Sequence, residues 1–145
     1  MLFYANGPVT FVQDSFKNTK NLSYFEIHAV GGIDLQLTLF KNSNINEIEL
    51  YSDGVVNFVQ GSFQNCKNMT TLTIHSPSDV TLGNDAFQNS QIQHLDIIWG
   101  NGTSGAIYVA EKSTVQFTSG SFKNCNQLST VYILTQKEML SILCN

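Results

Sequence analysis

The sequence predicts a right-handed solenoid of the α/β class, mostly β by content. It should carry a parallel β-sheet on one face and short strands or helical turns on the other. Three observations point there. Five phenylalanines are each followed two residues later by asparagine, at Phe16/Asn18, Phe40/Asn42, Phe63/Asn65, Phe87/Asn89 and Phe122/Asn124. Their spacings along the numbering are 24, 23, 24 and 35 residues, and a fixed period of that size marks a repeat architecture. After each phenylalanine comes the pattern L-x-x-L-x-L, as Leu22/Phe25/Ile27, Ile45/Ile48/Leu50, Met69/Leu72/Ile74, Ile92/Leu95/Ile97 and Leu128/Val131/Ile133. Five residues before each phenylalanine stands another apolar residue, namely Phe11, Leu35, Phe58, Leu82 and Phe117, so each coil has apolar contacts on both walls.

The units run approximately 3 to 26, 27 to 49, 50 to 73, 74 to 96 and 97 to 132, giving a solenoid of about five repeats over residues 1–134. In each, the L-x-x-L-x-L stretch alternates and is rich in β-branched residues, which reads as a strand. Stacked coils place these strands side by side. The opposite wall carries Val9-Thr10-Phe11, Val80-Thr81-Leu82 and Val115-Gln116-Phe117, a second short extended piece followed by an expected helical turn into the Phe-x-Asn segment. The repeated asparagines are expected at a buried corner, where a side-chain amide can satisfy inward-facing backbone N–H and C=O groups. The fifth unit holds an insertion at about residues 99–113, with the only tryptophan, Trp99, at its base. Loops longer than a repeat requires often carry binding. Gly100, Gly102 and Gly105 spell G-x-G-x-x-G there, but Ala106-Ile107-Tyr108-Val109 reads as strand where a dinucleotide site needs a helix. Thr135 to Glu138 reads as a capping box with apolar residues following at helical spacing, so residues 135–145 are expected to form a C-terminal helical cap over the last coil.

Bulk composition narrows the function. Of 145 residues, 12% are charged, against roughly 25% in ordinary soluble proteins. A formal charge of −4 with seven scattered basic residues argues against nucleic acid and anionic membrane as partners. No apolar run approaches the roughly 20 residues of a membrane span, so membrane insertion is not expected. The segment Phe3-Tyr4-Ala5-Asn6-Gly7 matches Leu50-Tyr51-Ser52-Asp53-Gly54 station by station. The chain therefore begins inside a repeat, as expected of an excised fragment or shortened reading frame, and its uncapped N-terminal coil offers a surface for end-to-end contact. Cys66 and Cys125 share one station two coils apart, roughly 10 Å, which is too far for a disulfide.

The order of the repeat carries a resemblance. Ser62-Phe63-Gln64-Asn65-Cys66-Lys67-Asn68-Met69 and Ser121-Phe122-Lys123-Asn124-Cys125-Asn126-Gln127-Leu128 set Phe-x-Asn-Cys before the L-x-x-L-x-L strand, whereas the common leucine-rich repeat has its asparagine after it. This arrangement resembles the BspA-type leucine-rich repeats of surface proteins, from about Val9 to Ile133. The resemblance implies a cell-surface or extracellular protein that binds host or matrix proteins and other cells, with no catalytic residues to carry over and no cofactor.

Residues between the buried ones of a strand face outward. On the L-x-x-L-x-L sheet this gives three columns: Tyr24, Glu47, Thr71, His94 and Thr130; then Glu26, Glu49, Thr73, Asp96 and Tyr132; then Tyr4, His28, Tyr51, His75, Ile98 and Leu134. All three histidines fall here with four of the five tyrosines, and no lysine or arginine does. The expected partner-binding residues are therefore Tyr4, Tyr24, Glu26, His28, Glu47, Glu49, Tyr51, His75, His94, Asp96 and Tyr132, with Trp99 in the insertion. A protein or glycan partner is expected, basic or hydrogen-bonding rather than anionic. His28 and His75 would stand roughly 10 Å apart with Tyr51 between them, too wide for one metal ion. An open sheet leaves Glu26 and Glu49 solvated, which does not suit a glycosidase pair. Reading the chain as a non-catalytic adhesion module leaves two alternatives, an intracellular scaffold and a structural spacer in a longer array.

Overall fold

A computed structural model describes residues 1–98, 115–134 and 139–143 of the chain. Alternation of buried and outward residues in the repeats yields two sets of strands, a longer one per coil and a three-residue one per coil. The longer set comprises β1 (Leu2–Ala5), β3 (Tyr24–Ala29), β5 (Glu47–Ser52), β7 (Thr71–His75), β9 (His94–Ile98) and β11 (Thr130–Leu134). The shorter set comprises β2 (Val9–Phe11), β4 (Ile33–Leu35), β6 (Val56–Phe58), β8 (Val80–Leu82) and β10 (Val115–Phe117). Each set forms one sheet in which neighbouring coils pair in parallel, in the orders β1-β3-β5-β7-β9-β11 and β10-β8-β6-β4-β2. The chain alternates between the two sheets, once each per coil, and the core lies between them.

That core is the repeat pattern made three-dimensional. Phe25, Ile27, Ile48, Leu50, Leu72, Ile74, Leu95 and Ile97 from the longer strands are fully buried against Leu35, Phe58 and Leu82 from the shorter ones. Between the sheets the repeated phenylalanines form a single stack. Phe16–Phe40, Phe40–Phe63, Phe63–Phe87 and Phe87–Phe122 have ring centroids 5.2, 5.5, 5.0 and 5.3 Å apart, with interplanar angles of 12, 11, 15 and 2°. The rows expected from the sequence therefore exist, and the eleven extra residues of the fifth unit do not interrupt them.

The turn into each Phe-x-Asn segment is not helical, and the class is all-β rather than α/β. Two residues per coil bracket the phenylalanine with left-handed backbone. One is the asparagine, with φ near +60° at Asn18, Asn42, Asn65, Asn89 and Asn124; the other is Asp14, Thr38, Gly61, Asp85 or Gly120. A right-handed helical turn cannot pass through such residues. Alternate N–H groups instead bond across coils, Phe40 N to Ser62 O at 2.8 Å, Asn42 N to Gln64 O at 3.0 Å and Phe63 N to Ala86 O at 2.7 Å, while those between them close local turns, as Lys41 N to Thr38 O at 3.1 Å. Asparagine is among the few residues that tolerate this conformation, which explains its recurrence at this station.

The asparagine side chains also differ from expectation. They are half-buried or exposed, and they satisfy each other rather than the backbone. Asn42 donates to Asn18 at 3.1 Å, Asn65 to Asn42 at 3.0 Å, Asn89 to Asn65 at 3.0 Å and Asn124 to Asn89 at 2.8 Å. Cys66 donates to Phe40 O at 3.0 Å and Cys125 to Phe87 O at 2.9 Å, both as free thiols inside the corner. Burial pushes the Cys66 thiol up to about 11.

Within the expected helical cap, Met139–Leu143 is instead a strand, β12, which pairs antiparallel with β11 and ends the sheet. Its register sets Leu140 opposite Ile133 and Ile142 opposite Val131. The reason is the edge: β11 would otherwise present a row of unpaired N–H and C=O groups, which a helix could cover but not pair. The insertion with Trp99 and its glycines, and Cys144, lie outside the described residues.

Replacing the buried Phe63 by alanine should cost about 3–5 kcal/mol by opening a cavity in the ring stack, measured by chemical denaturation. At the left-handed Asn65 station, Asn65→Ala should be the more damaging change and Asn65→Gly the milder, differing by about 1 kcal/mol, since only glycine accepts that backbone without strain.

Candidate functional site

Because equivalent stations of successive coils pair residue for residue, the outward side chains of the seven-stranded sheet stand in straight columns. The register aligns Tyr24, Glu47, Thr71, His94 and Thr130 in the first. It aligns Glu26, Glu49, Thr73, Asp96 and Tyr132 in the second, and Tyr4, His28, Tyr51, His75, Ile98 and Leu134 in the third. The columns thus match the sequence expectation, with one addition. Leu2 pairs with Glu26 and opens the second column as an exposed apolar residue. The Phe3 to Ile27 equivalence carried the signal for it. Trp99, the remaining expected residue, falls outside the described residues.

In the third column the rings stack on one another. Tyr4 and His28 have centroids 4.8 Å apart at 23°, His28 and Tyr51 4.4 Å at 5°, and Tyr51 and His75 4.6 Å at 5°. Strand spacing in a sheet is about 4.8 Å, close to the centroid separation of a stacked aromatic pair, so the sheet itself imposes the stacking. Tyr51 fills the space between His28 and His75, the two imidazoles that a shared metal ion would have to bring together.

The carboxylates are held by these same side chains. Along β3, Tyr24 Oη donates to Glu26 Oε2 at 2.7 Å, while His28 Nε2 meets Glu26 Oε1 at 2.6 Å. Along β5, Tyr51 Oη donates to Glu49 Oε2 at 2.9 Å. Residues two apart on a strand share a face, which is why each carboxylate finds its partners on its own strand. The hydrogen bonds from His28 and Tyr24 hold the Glu26 carboxyl below its usual range. Burial, reinforced by the bond to Glu26, pushes the Tyr24 phenol upward, and burial with the bond to Glu49 pushes Tyr51 up to about 12. Burial against its neighbours depresses His75, only partly offset by the Glu49 charge. A carboxylate stabilised in its ionised form is a poor general acid, so Glu26 presents negative charge rather than a proton donor.

Glu47 and His94 are exposed at the start of their strands, and Asp96 and Tyr132 are half-buried neighbours at the far end of the second column. The structure therefore brings eleven of the twelve expected residues onto one face; the twelfth is Trp99.

The sequence profile of the family described as BspA type leucine rich repeat region matches residues 5–105, in six copies. The fifth coil continues the same register beyond that span, through β10 and β11. Neither the curated proteins nor the solved structures contain a match to the chain.

Stability should carry two acid limbs that trace to this face. Glu26 has a lowered folded-state pKa, so its contribution is complete above its ordinary value of 4.5 and is lost as pH falls through the lower folded value. His75 is also lowered, from 6.5, so the unfolded state takes the proton first and stability declines as pH falls from 6.5 towards the folded value. Denaturant midpoints measured across this range should lose the upper limb in His75→Phe and the lower limb in Glu26→Gln.

Proposed function

The chain belongs to the family of BspA-type leucine-rich repeat proteins, and from that membership we propose that it is a non-catalytic protein-binding and adhesion module of a cell-surface or secreted protein, which engages its partner through the outward columns of the seven-stranded sheet. One observation supports this most directly: the face gathers three histidines, four tyrosines and four carboxylates in register, with no lysine or arginine among its columns. Tyrosine supplies large contact area at little cost in side-chain entropy. Here the entropy cost is smaller still, because Tyr51 is already fixed by two stacked imidazoles and by Glu49. Preorganisation of this kind raises affinity without adding contacts.

The stacking also selects between partner classes. A sugar ring binds aromatic side chains by lying on their faces, and the faces of His28 and Tyr51 are covered by their neighbours. What the column offers outward is ring edges, hydroxyl groups and imidazole nitrogens, a polar pattern suited to a protein surface rather than a glycan. Surface display follows from the family's usual setting. No helix among the described residues is long and apolar enough to cross a membrane.

The test is a panel of immobilised extracellular-matrix and cell-surface proteins probed at neutral pH with the parent protein and the Tyr51→Ala/His75→Ala double variant. Binding should weaken at least about tenfold in the variant, as expected when a central aromatic anchor is removed. Equal binding by both proteins removes the strand face from the site.

A further inference from the structure

Charge in the columns of this face is of one sign. Glu26, Glu47, Glu49 and Asp96 are its only permanently ionisable side chains near neutral pH, and no ammonium or guanidinium stands in its columns. The lysines among the described residues lie elsewhere: Lys17, Lys41 and Lys123 follow the phenylalanines of the turn, and Lys20 and Lys67 reach across coils to the carbonyls of Asn42 and Asn89. All three histidines of the chain, by contrast, sit among the four carboxylates. Imidazole is the side chain whose charge changes near neutral pH. Each proton taken up by this face therefore cancels one of its negative charges.

The neighbours of each imidazole set how that happens. His28 faces Tyr4 from β1, Glu26 on its own strand, and Glu49 and Tyr51 from β5, and the Met1 amino group lies near Glu26. Protonated, it turns its 2.6 Å contact with Glu26 into an ion pair and occupies the carboxylate that an incoming cation would use. His75 faces Tyr51 and Glu49 from β5 and Asp96 from β9, with only threonines for outward company on β7. His94 shares its strand with Asp96 and stands between Thr71 and Thr130, with Tyr132 beyond on β11.

Resting on the strand-face reading above, we propose that this face is a proton-gated docking surface for a cationic segment, one bearing lysine or arginine, of the partner protein. Charge complementarity selects that partner: at neutral pH the columns are purely anionic, and a guanidinium or ammonium placed along the Glu26–Glu49 row meets carboxylates already oriented by Tyr24 and Tyr51. Acidification fills the same row from within, through His28 on Glu26 and the nearby imidazoles, and releases the segment. The stacked column does not need to move for this to occur, so the gate is electrostatic and fast.

Octalysine serves as the probe, titrated into the full chain by calorimetry at about pH 7.5 and about pH 5.5 at fixed ionic strength. The parent should bind it at least about fivefold more weakly at the lower pH, and His28→Gln/His75→Gln/His94→Gln should bind it equally at both. An Asp34→Asn/Asp85→Asn variant, with the same charge change as a loss of two face carboxylates but on other surfaces, should behave as the parent. Should the triple variant not fold, Glu47→Gln/Asp96→Asn carries the test and should lower affinity at about pH 7.5 at least about fivefold. Parent affinity that is the same at both pH values, or a fall that the triple variant retains in full, overturns the gate. Equal loss in the Asp34/Asp85 variant overturns the location. These outcomes are separate from the aromatic double-variant test: a partner lost by Tyr51→Ala/His75→Ala at neutral pH but held equally by the parent at both pH values removes the gate and leaves the docking face standing.

Discussion

Every coil of this chain is held at one fixed translation from the next by a column of stacked phenylalanine rings and the backbone hydrogen bonds that run beside it. Ring centroids 5.0 to 5.5 Å apart match the spacing of paired strands on both sides of the core. Neither contact would be sufficient separately. Aromatic stacking tolerates sliding, and a short parallel strand pair of three residues has few bonds, but together they leave one register. Phe40, Phe63 and Phe87 are wholly buried, so any slip would expose a ring and open a void.

The same translation makes the outer face what it is. Once Phe25, Ile48, Leu72 and Leu95 are locked in line, the residues beside them have no freedom to be anything but columns. Tyrosine and histidine at one station then stack because the sheet spacing suits the separation of stacked rings, and Glu26 falls between the Tyr24 hydroxyl and the His28 imidazole while Glu49 meets the Tyr51 hydroxyl. A surface of this kind is rigid, polar at its edge and anionic, without any cleft. It offers negative charge and oriented hydrogen-bonding groups, and its order is inherited from the core beneath.

The corner opposite shows how the low charge content is accommodated. Left-handed turn residues direct the chain from one sheet to the other, and the asparagine amides close on each other in a row along the surface. Polar groups there are satisfied by translation-related copies of themselves, which is available only to a repeat. At the end of the longer sheet that device fails, since β11 has no following coil, and β12 returns antiparallel to pair the edge.

Periodicity alone determined a good deal: that the chain winds into stacked coils, the identity of the stacked phenylalanines, all but one member of the outward columns and the anionic, aromatic character of the face. These follow from the chain because like residues at like intervals must superpose once any one pair does. Tertiary structure decided the rest. The Phe-x-Asn turn looks helical in sequence because the partners of its alternate N–H groups lie in the next coil, some 22 residues away between Phe40 and Ser62, and local pattern carries no record of them. Asn65 looks buried beside Phe63 and Cys66, yet its positive φ turns the amide along the surface. Met139 to Leu143 has helical spacing, but an unpaired strand edge next to it outweighs intrinsic propensity. That Glu26 would be gripped by both Tyr24 and His28, and that His28 would lie flat against Tyr51, required the actual distance between strands, a quantity set by backbone pairing across coils rather than by any one segment.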